Sequence, residues 1–266
     1  PIGYANGLAM LCVLGIVAQP LSPLVIPFAI VLVWQDSFGA YAALAVGLAV
    51  YVLPRFRLLV AALGVALLLA SPYIGSGHER THYWRVATHE ARAHPVLGTG
   101  AGTFVNWWVR DRDTTVQTQE AHSLYVETLA ELGPFGLALL LVALGLPIAA
   151  ARSRGPAAVV AAYAAGAAVD FHWELAGVTL PAIVAAAAAV SEGPRRRGVS
   201  SRVLVPACAA LVVLAVLAYA GNAALSAAQS AAQRGDFAAA QAHARTAHRW
   251  QPYSPQPWVV LGDTSS

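Results

Sequence analysis

Residues 122–154 read HSLYVETLAELGPFGLALLLVALGLPIAAARSR, and this stretch decides the fold. From Leu132 to Ala151 no charged side chain interrupts it, and it ends against Arg152 and Arg154. About 20 consecutive apolar residues cross the hydrocarbon of a bilayer as a helix, and arginines beside one end hold that end in the cytoplasm. Gly133 and Pro134 supply an internal stop and start, because glycine ends helices and proline opens them. His122 and Ser123 then stand at the outer mouth of the run.

The rest of the 266 residues repeats the pattern. Hydrophobic residues make up 58% of the chain and charged ones 11%, with a mean hydropathy of +0.60; a soluble domain carries about 25% charged residues. So little polar surface cannot cover a globule of this size in water. A cytosolic enzyme, a disordered chain and a secreted disulfide scaffold are excluded. Further apolar segments run over about 2–19, 21–34, 38–53, 57–72, 156–174, 177–190 and 202–221. Pro20 and Pro23 separate the first two, which could instead form a re-entrant hairpin. Cys12 and Cys208 lie inside apolar runs and read as small hydrophobes, not as a bridge or a metal pair. The expected fold is all-α: a polytopic transmembrane helix bundle over residues 1–221, with a large extracytoplasmic loop and a C-terminal helical-repeat tail.

All 16 basic residues are arginine. Arg55 and Arg57, then Arg152 and Arg154, then Arg195, Arg196, Arg197 and Arg202 fill three alternate connections, which the positive-inside rule makes cytoplasmic. The segments 34–38, 73–121 and 172–177, and the tail, then lie outside. They hold or adjoin all eight histidines and every acidic residue except Glu192. With the arginines serving topology, the net charge of +3 implies no nucleic-acid partner. Ionisable groups gathered on one face favour surface chemistry over a transport path, which places such groups near mid-membrane.

The outer segment 73–121 carries a helical pattern from Glu79 to Ala93. Arg80, Trp84, Ala87 and Ala91 form one stripe and His78, His82, Arg85 and His89 an adjacent one, as on a helix lying on the membrane surface. Pro95 and the turn Gly98-Thr-Gly100-Ala-Gly102 follow, with no regular helix expected after them and with Trp107 and Trp108 expected at headgroup level. The turn lacks a preceding strand, so it is not a dinucleotide fingerprint. His78 and His82 have metal spacing without a third ligand, so neither metal nor cofactor is expected. Residues 223–249 read as two alanine-rich helices broken at Gly235-Asp236-Phe237, with Trp258 opening a third. Such pairs of about 34 residues are tetratricopeptide-like and bind protein partners once stacked with neighbours. The start at Pro1-Ile-Gly and the single unit in the tail read as a fragment of a longer protein.

His122 can serve as a general base, since an imidazole titrates near neutrality; the bland alternative is an interfacial histidine at a helix start. Tyr125, Glu127 and Glu131 follow it on the next turns. Asp170 and Glu174, near another outer helix end, are placed to orient a sugar or pair with an arginine.

The stretches Arg80-Thr-His-Tyr-Trp84, His94-Pro-Val-Leu-Gly98-Thr-Gly100-Ala-Gly102-Thr-Phe104, Ala121-His122-Ser-Leu-Tyr125 and Glu131-Leu-Gly133 resemble the signature region of the O-antigen ligase and polymerase family. Gly3-Tyr4-Ala5-Asn6 and Val169-Asp170-Phe171-His-Trp173 look like further landmarks. The resemblance implies a bacterial glycosyltransferase of the cytoplasmic membrane. Such an enzyme moves a glycan from a polyprenyl-diphosphate carrier to a glycan or lipid acceptor on the outer side. It implies His122 as the residue activating the acceptor hydroxyl and Arg80 as the diphosphate clamp. Arg85, one turn on and without a motif of its own, is read as assisting Arg80, and Tyr125, Asp170 and Asn6 as bordering the substrate. One departure is that Asp36-Ser37-Phe38-Gly39 carries phenylalanine where family members often have arginine. Ligase and polymerase differ only in acceptor. The alternative from a different class is a non-enzymatic transporter, flippase or assembly scaffold. Absence of lysine with abundant alanine and arginine points to a GC-rich bacterial genome.

Overall fold

Helices make all the regular structure among the described residues, which are 5–74, 78–114, 116, 118–191, 220–250, 252 and 256–264 of the computed structural model. The chain divides into two compact units, Pro1–Pro194 and Arg195–Ser266. The first contains α1 (Ala5–Ala18), α2 (Val25–Gln35), α3 (Phe38–Val52), a 3-10 turn (Pro54–Phe56), α4 (Arg57–Ile74), α5 (His78–Ala93), α6 (Phe104–Asp111), α7 (Leu124–Ala150), α8 (Arg154–Gly166), a second 3-10 turn (His172–Glu174) and α9 (Ala176–Ser191).

The centre of this unit is α8. Every residue from Ala157 to Gly166 is buried, and α8 touches α1, α3, α4, α7 and α9. Its alanines explain this position, because small side chains let backbones approach closely. Gly47 of α3 extends the fit: a Cβ there would lie 2.8 Å from Val17 Cγ1 and 2.9 Å from Ala162 Cβ. The outer faces carry the large side chains instead, with Leu67, Leu139 and Val184 about two-thirds exposed or more. Small residues inside and leucine outside suit a bundle surrounded by lipid, since water would not tolerate an apolar surface of that extent.

Two helices are long and apolar enough to cross a membrane, Pro54–Tyr73 and Leu124–Ala150. Four more apolar helices are shorter, α1, α2, α3 and α9. At 1.5 Å per residue, the 11 residues of α2 reach about 16 Å, roughly half the hydrocarbon thickness. α1 and α2 pack against each other across the Pro20–Pro23 turn.

Charge segregates by end. Arg57 donates to the carbonyls of Ala149 and Ala151, and Arg154 lies over the Tyr51 ring, so the loops bearing Arg55, Arg57, Arg152 and Arg154 share one end. At the opposite end Leu124 N donates to Ala167 O at 2.9 Å and Asn6 Nδ2 donates to Asp170 at 2.9 Å. That end holds the starts of α1 and α7, the end of α8 and His122.

Two expectations change, and one falls outside the described residues. The segment 156–174 is not one helix: α8 stops at Gly166, where a Cβ would lie 2.7 Å from the His172 ring and 2.9 Å from Met10 Sδ, and the chain turns there. The segment 202–221 lies largely outside the described residues, and Cys208 wholly so. A helix, α6, does follow the glycine turn, and Trp108 within it is fully buried in protein. Cys12 is buried, as a small hydrophobe would be.

In the second unit, residues 220–233 form α10, followed by α11 (Phe237–Trp250) and α12 (Gln256–Asp263). Gly235 makes the break with φ +78°, and Asp236 caps α11 by accepting from Ala239 N. Ala228 and Ala231 of α10 meet Ala240 and Ala244 of α11 and Val260 of α12 in a small core.

Candidate functional site

His122 precedes α7 with φ +55°, a left-handed conformation that costs a non-glycine residue energy and marks a constrained position. The residues after it hold that turn in place. Ser123, fully buried, caps α7 by accepting from Val126 N at 3.4 Å, and the Glu127 carboxylate reaches back to accept from Ala121 N at 2.6 Å. The imidazole is stacked on Tyr83 of α5 at 4.7 Å and meets the edge of Phe171 at 4.9 Å. Its Nδ1 lies 3.2 Å from the carbonyl oxygen of Glu120. A carbonyl only accepts, so this partner puts the proton on Nδ1 and makes Nε2 the lone-pair nitrogen of the neutral ring.

His122 lines an open cavity of about 450 Å³ with Val105, Thr118, Gln119, Glu120 and Phe171. Burial pushes the Glu120 carboxyl above its ordinary value, and the neighbouring Glu174 carboxylate adds to the shift. A larger concavity, about 590 Å³, lies at the arginine end beside Arg154 and Tyr51. It is lined by neither a histidine nor any acid.

α5 supplies the wall behind His122. Tyr83, Trp84, Val86 and Ala87 are buried; of the stripe read from the sequence, Trp84 and Ala87 are buried and Arg80 and Ala91 half-buried. Arg80 sits one turn before Tyr83 and so faces the same side. It is half-buried, and its Nε has no hydrogen-bond partner among the described residues. The second stripe is exposed and paired. His82 and Arg85 both meet Asp113, at 2.9 and 2.8 Å, and His89 meets Asp111 at 2.8 Å. Arg110 holds the Asp111 carboxyl down to about 2 and lies 3.9 Å over the Trp107 ring. The His78 side chain lies outside the described residues. Among those described, no three His, Cys, Asp or Glu side chains converge as metal ligands.

The glycine turn is docked on the break in α7. Gly133 has φ +65°, and a Cβ on it would come 2.4 Å from Val96 O; Gly98 has φ +67°, and a Cβ there would come 2.3 Å from the Glu131 backbone. Only glycine permits that backbone-to-backbone approach. Glu131 then accepts from Gly102 N and Phe104 N, both at 2.9 Å, while its own carbonyl accepts from Gly100 N. These amides could have cradled a phosphate, but a carboxylate of the same chain occupies two of them.

The other residues singled out in the sequence fall as follows. Asn6 and Asp170, 164 positions apart, are bonded to each other at the His122 end. Tyr125 is buried and donates to Ala164 O at 2.9 Å, behind the cavity rather than in its lining. Phe38 is exposed at the start of α3, and the adjoining Gly39 abuts Val169. The segment containing Gly3 and Tyr4 lies outside the described residues. Sequence reasoning did not single out Tyr83 and Phe171 as the rings that hold His122, nor Glu120 in the cavity. The only signal for Tyr83 and Phe171 was position within the quoted stretches, and for Glu120 its place two residues before His122.

Residues 23–141 match the model of a protein family described as O-antigen ligase. No curated protein and no solved structure matches the chain.

Proposed function

Because residues 23–141 make this chain a member of the O-antigen ligase family, we propose that it is a multi-pass glycosyltransferase of the bacterial cytoplasmic membrane. In this reading it joins a glycan from an undecaprenyl-diphosphate carrier to an acceptor hydroxyl on the outer face. The observation that carries the reading is the oriented His122 ring at the mouth of the cavity, with Nε2 as its basic nitrogen. Nε2 takes the proton of the acceptor hydroxyl while that oxygen attacks the anomeric carbon from the side opposite the diphosphate. The bond from the anomeric carbon to the diphosphate oxygen breaks, the carrier leaves with the electron pair, and the configuration inverts. The proton on His122 passes afterwards to solvent or to the departing diphosphate.

Arg80 is proposed to neutralise the charge that develops on the diphosphate, as guanidinium groups do through paired charge-assisted bonds. Its buried Nε without a protein partner among the described residues supports that role. Arg85, Asn6 and Asp170 are proposed to border the substrate rather than react with it, and Tyr125, buried behind the cavity, to support its wall. The scheme uses no metal and no cofactor. The helix pair of the tail is proposed as one tetratricopeptide-type repeat that contributes to a protein-binding surface.

The test is the full-length protein in proteoliposomes with a lipid-linked glycan donor. Replacing His122 with alanine is expected to lower transfer by about 10²–10⁴-fold, the range for a lost general base. Undiminished transfer would remove His122 from the mechanism. Loss of carrier movement without loss of glycosidic bond formation would favour a transporter.

A further inference from the structure

Glu90, near the end of α5, has the least exposed carboxyl group among the described residues, with no accessible surface. Its Oε1 contacts Thr99 Oγ1 and, at 3.1 Å, Thr103 Oγ1. The two threonine hydroxyls lie 2.6 Å apart, and Thr103 Oγ1 lies 2.6 Å from the Gly100 carbonyl. Its Oε2 is buried with no partner among the described residues.

Counting protons decides the ionisation state of this group. A carbonyl and a carboxylate only accept, and each threonine hydroxyl has one proton to give. If Glu90 were ionised, the two hydroxyl protons would have to serve three short contacts. Thr99 to Glu90 and Thr103 to Gly100 would use both, and the threonine oxygens would face each other at 2.6 Å with lone pairs on both sides. A proton on Glu90 completes the set in one direction: Glu90 donates to Thr99, Thr99 to Thr103, and Thr103 to the Gly100 carbonyl. The 3.1 Å contact is then the one left without a proton. A bound cation does not fit as well, since octahedral oxygens around a magnesium ion stand about 2.9 Å apart and those around calcium farther. The enclosed Oε2 agrees, because a buried carbonyl oxygen without a partner costs far less than a buried anionic one.

We propose that Glu90 is held as a neutral carboxylic acid and, through the relay Glu90–Thr99–Thr103–Gly100, acts as the positioning residue that fixes the glycine turn and α6. The turn leads into Phe104 and Trp108. Trp108 packs on Tyr83 at 5.0 Å, and Tyr83 stacks on His122. That last link to catalysis rests on the role proposed for His122, whereas the protonation of Glu90 does not. The ionisable groups facing Glu90 are His94 at the end of α5, Arg110 of α6 and Glu131 of α7. Burial raises the Glu90 carboxyl above its ordinary value; hydroxyl donation from Thr99 and Thr103, open only to the ionised form, opposes the rise, and the Glu131 carboxylate adds to it. A group whose folded value is raised stabilises the fold below its unfolded value, and that contribution is lost as pH rises through the folded value.

The experiment compares full-length protein with its Glu90→Gln and Glu90→Leu variants, reading thermal unfolding from pH 5 to 9 and the infrared spectrum at pH 7. Glutamine can donate to Thr99 without titrating, whereas leucine cannot donate. The expected result has three parts. The wild-type minus Gln difference spectrum shows a carboxylic-acid carbonyl band. Wild-type Tm falls by about 3–5 °C per pH unit relative to Glu90→Gln from the ordinary carboxylate value up to the folded Glu90 value, and the difference levels off above it. The leucine variant is less stable than the glutamine variant at every pH. Contributions from His94 are common to all three proteins and cancel in the comparison. A carboxylate band in place of the acid band, or parallel Tm profiles for wild type and Glu90→Gln, overturns the proposal. Both readouts are independent of glycan transfer, so failure of the His122 test leaves them standing.

Discussion

α8 and the outer segment between α4 and α7 are both enclosed, but by opposite means. From Ala157 to Gly166 α8 is buried on all sides, by alanine, valine, Tyr163 and glycine. The outer segment is held by named polar commitments: Glu131 to two amides, Glu90 to two threonines, and Asp111 and Asp113 to the histidine and arginine stripe. Under the proposed membrane placement, lipid gives helices no hydrophobic drive to associate, and the bundle relies on close contact spread over many small residues. In the segment between α4 and α7, each polar group taken from water needs its own partner. Damage in the first region should therefore be graded, and in the second abrupt.

The largest effect is expected for Gly98→Ala. The new methyl would sit 2.3 Å from the Glu131 backbone at φ +67°, and neither partner is a flexible side-chain end. A loss of about 3 kcal/mol or more follows, at the top of the overpacking range. It is measurable as early unfolding of the outer segment by hydrogen exchange; a normally protected segment would show that the joint with α7 is looser than described. Glu131→Gln keeps one acceptor oxygen and loses the other, so about 1–3 kcal/mol is expected from an unsatisfied amide. Limited proteolysis at residues 98–104 should detect it, and unchanged cleavage would assign the turn's order to its glycines alone.

Gly47→Ala tests the other side of the comparison. The methyl meets Val17 and Ala162 at under 3 Å, but the helix gains about 1 kcal/mol of propensity. The net loss should be near 1 kcal/mol, read as a small fall in Tm in detergent. Collapse of the bundle would show that small-residue contact is as unforgiving as the polar joint. The smallest effect belongs to the exposed pair Arg110 and Asp111. The folded value of Asp111 is lowered, so its contribution is present above the ordinary carboxylate value and fades as pH falls towards about 2. Arg110→Gln should leave stability at pH 7 within experimental scatter, because exposed ion pairs contribute little; a clear loss would mean that Trp107 depends on the stacked guanidinium.

Much of this was legible in the sequence because it is local. The stop and start at Gly133-Pro134 is a break in α7, the two stripes of α5 face inward and outward as spaced, and the tail breaks at Gly235. The arginine loops 53–57 and 150–154 do meet at one end. What could not be read was set by partners distant in the chain. Glu90 lies in a polar helix and looks solvated until Thr99 and Thr103 close over it. Trp108 looks interfacial until Tyr83 and Phe104 pack on it. For His122 the histidine itself was visible, but the rings of Tyr83 and Phe171 that orient it come from α5 and from the turn after α8.

Arg57 has a consequence for how the outer segment forms. By binding the last carbonyls of α7 from the first residue of α4, it ties together the two legs from which that segment hangs. The segment is thus a loop of about 50 residues whose feet are set at a fixed gap by a clasp on the far side of the bundle. With its ends already joined, the chain-entropy cost of closing the loop is met before any contact inside it is made, and the outer segment can order as a cassette on a finished mount.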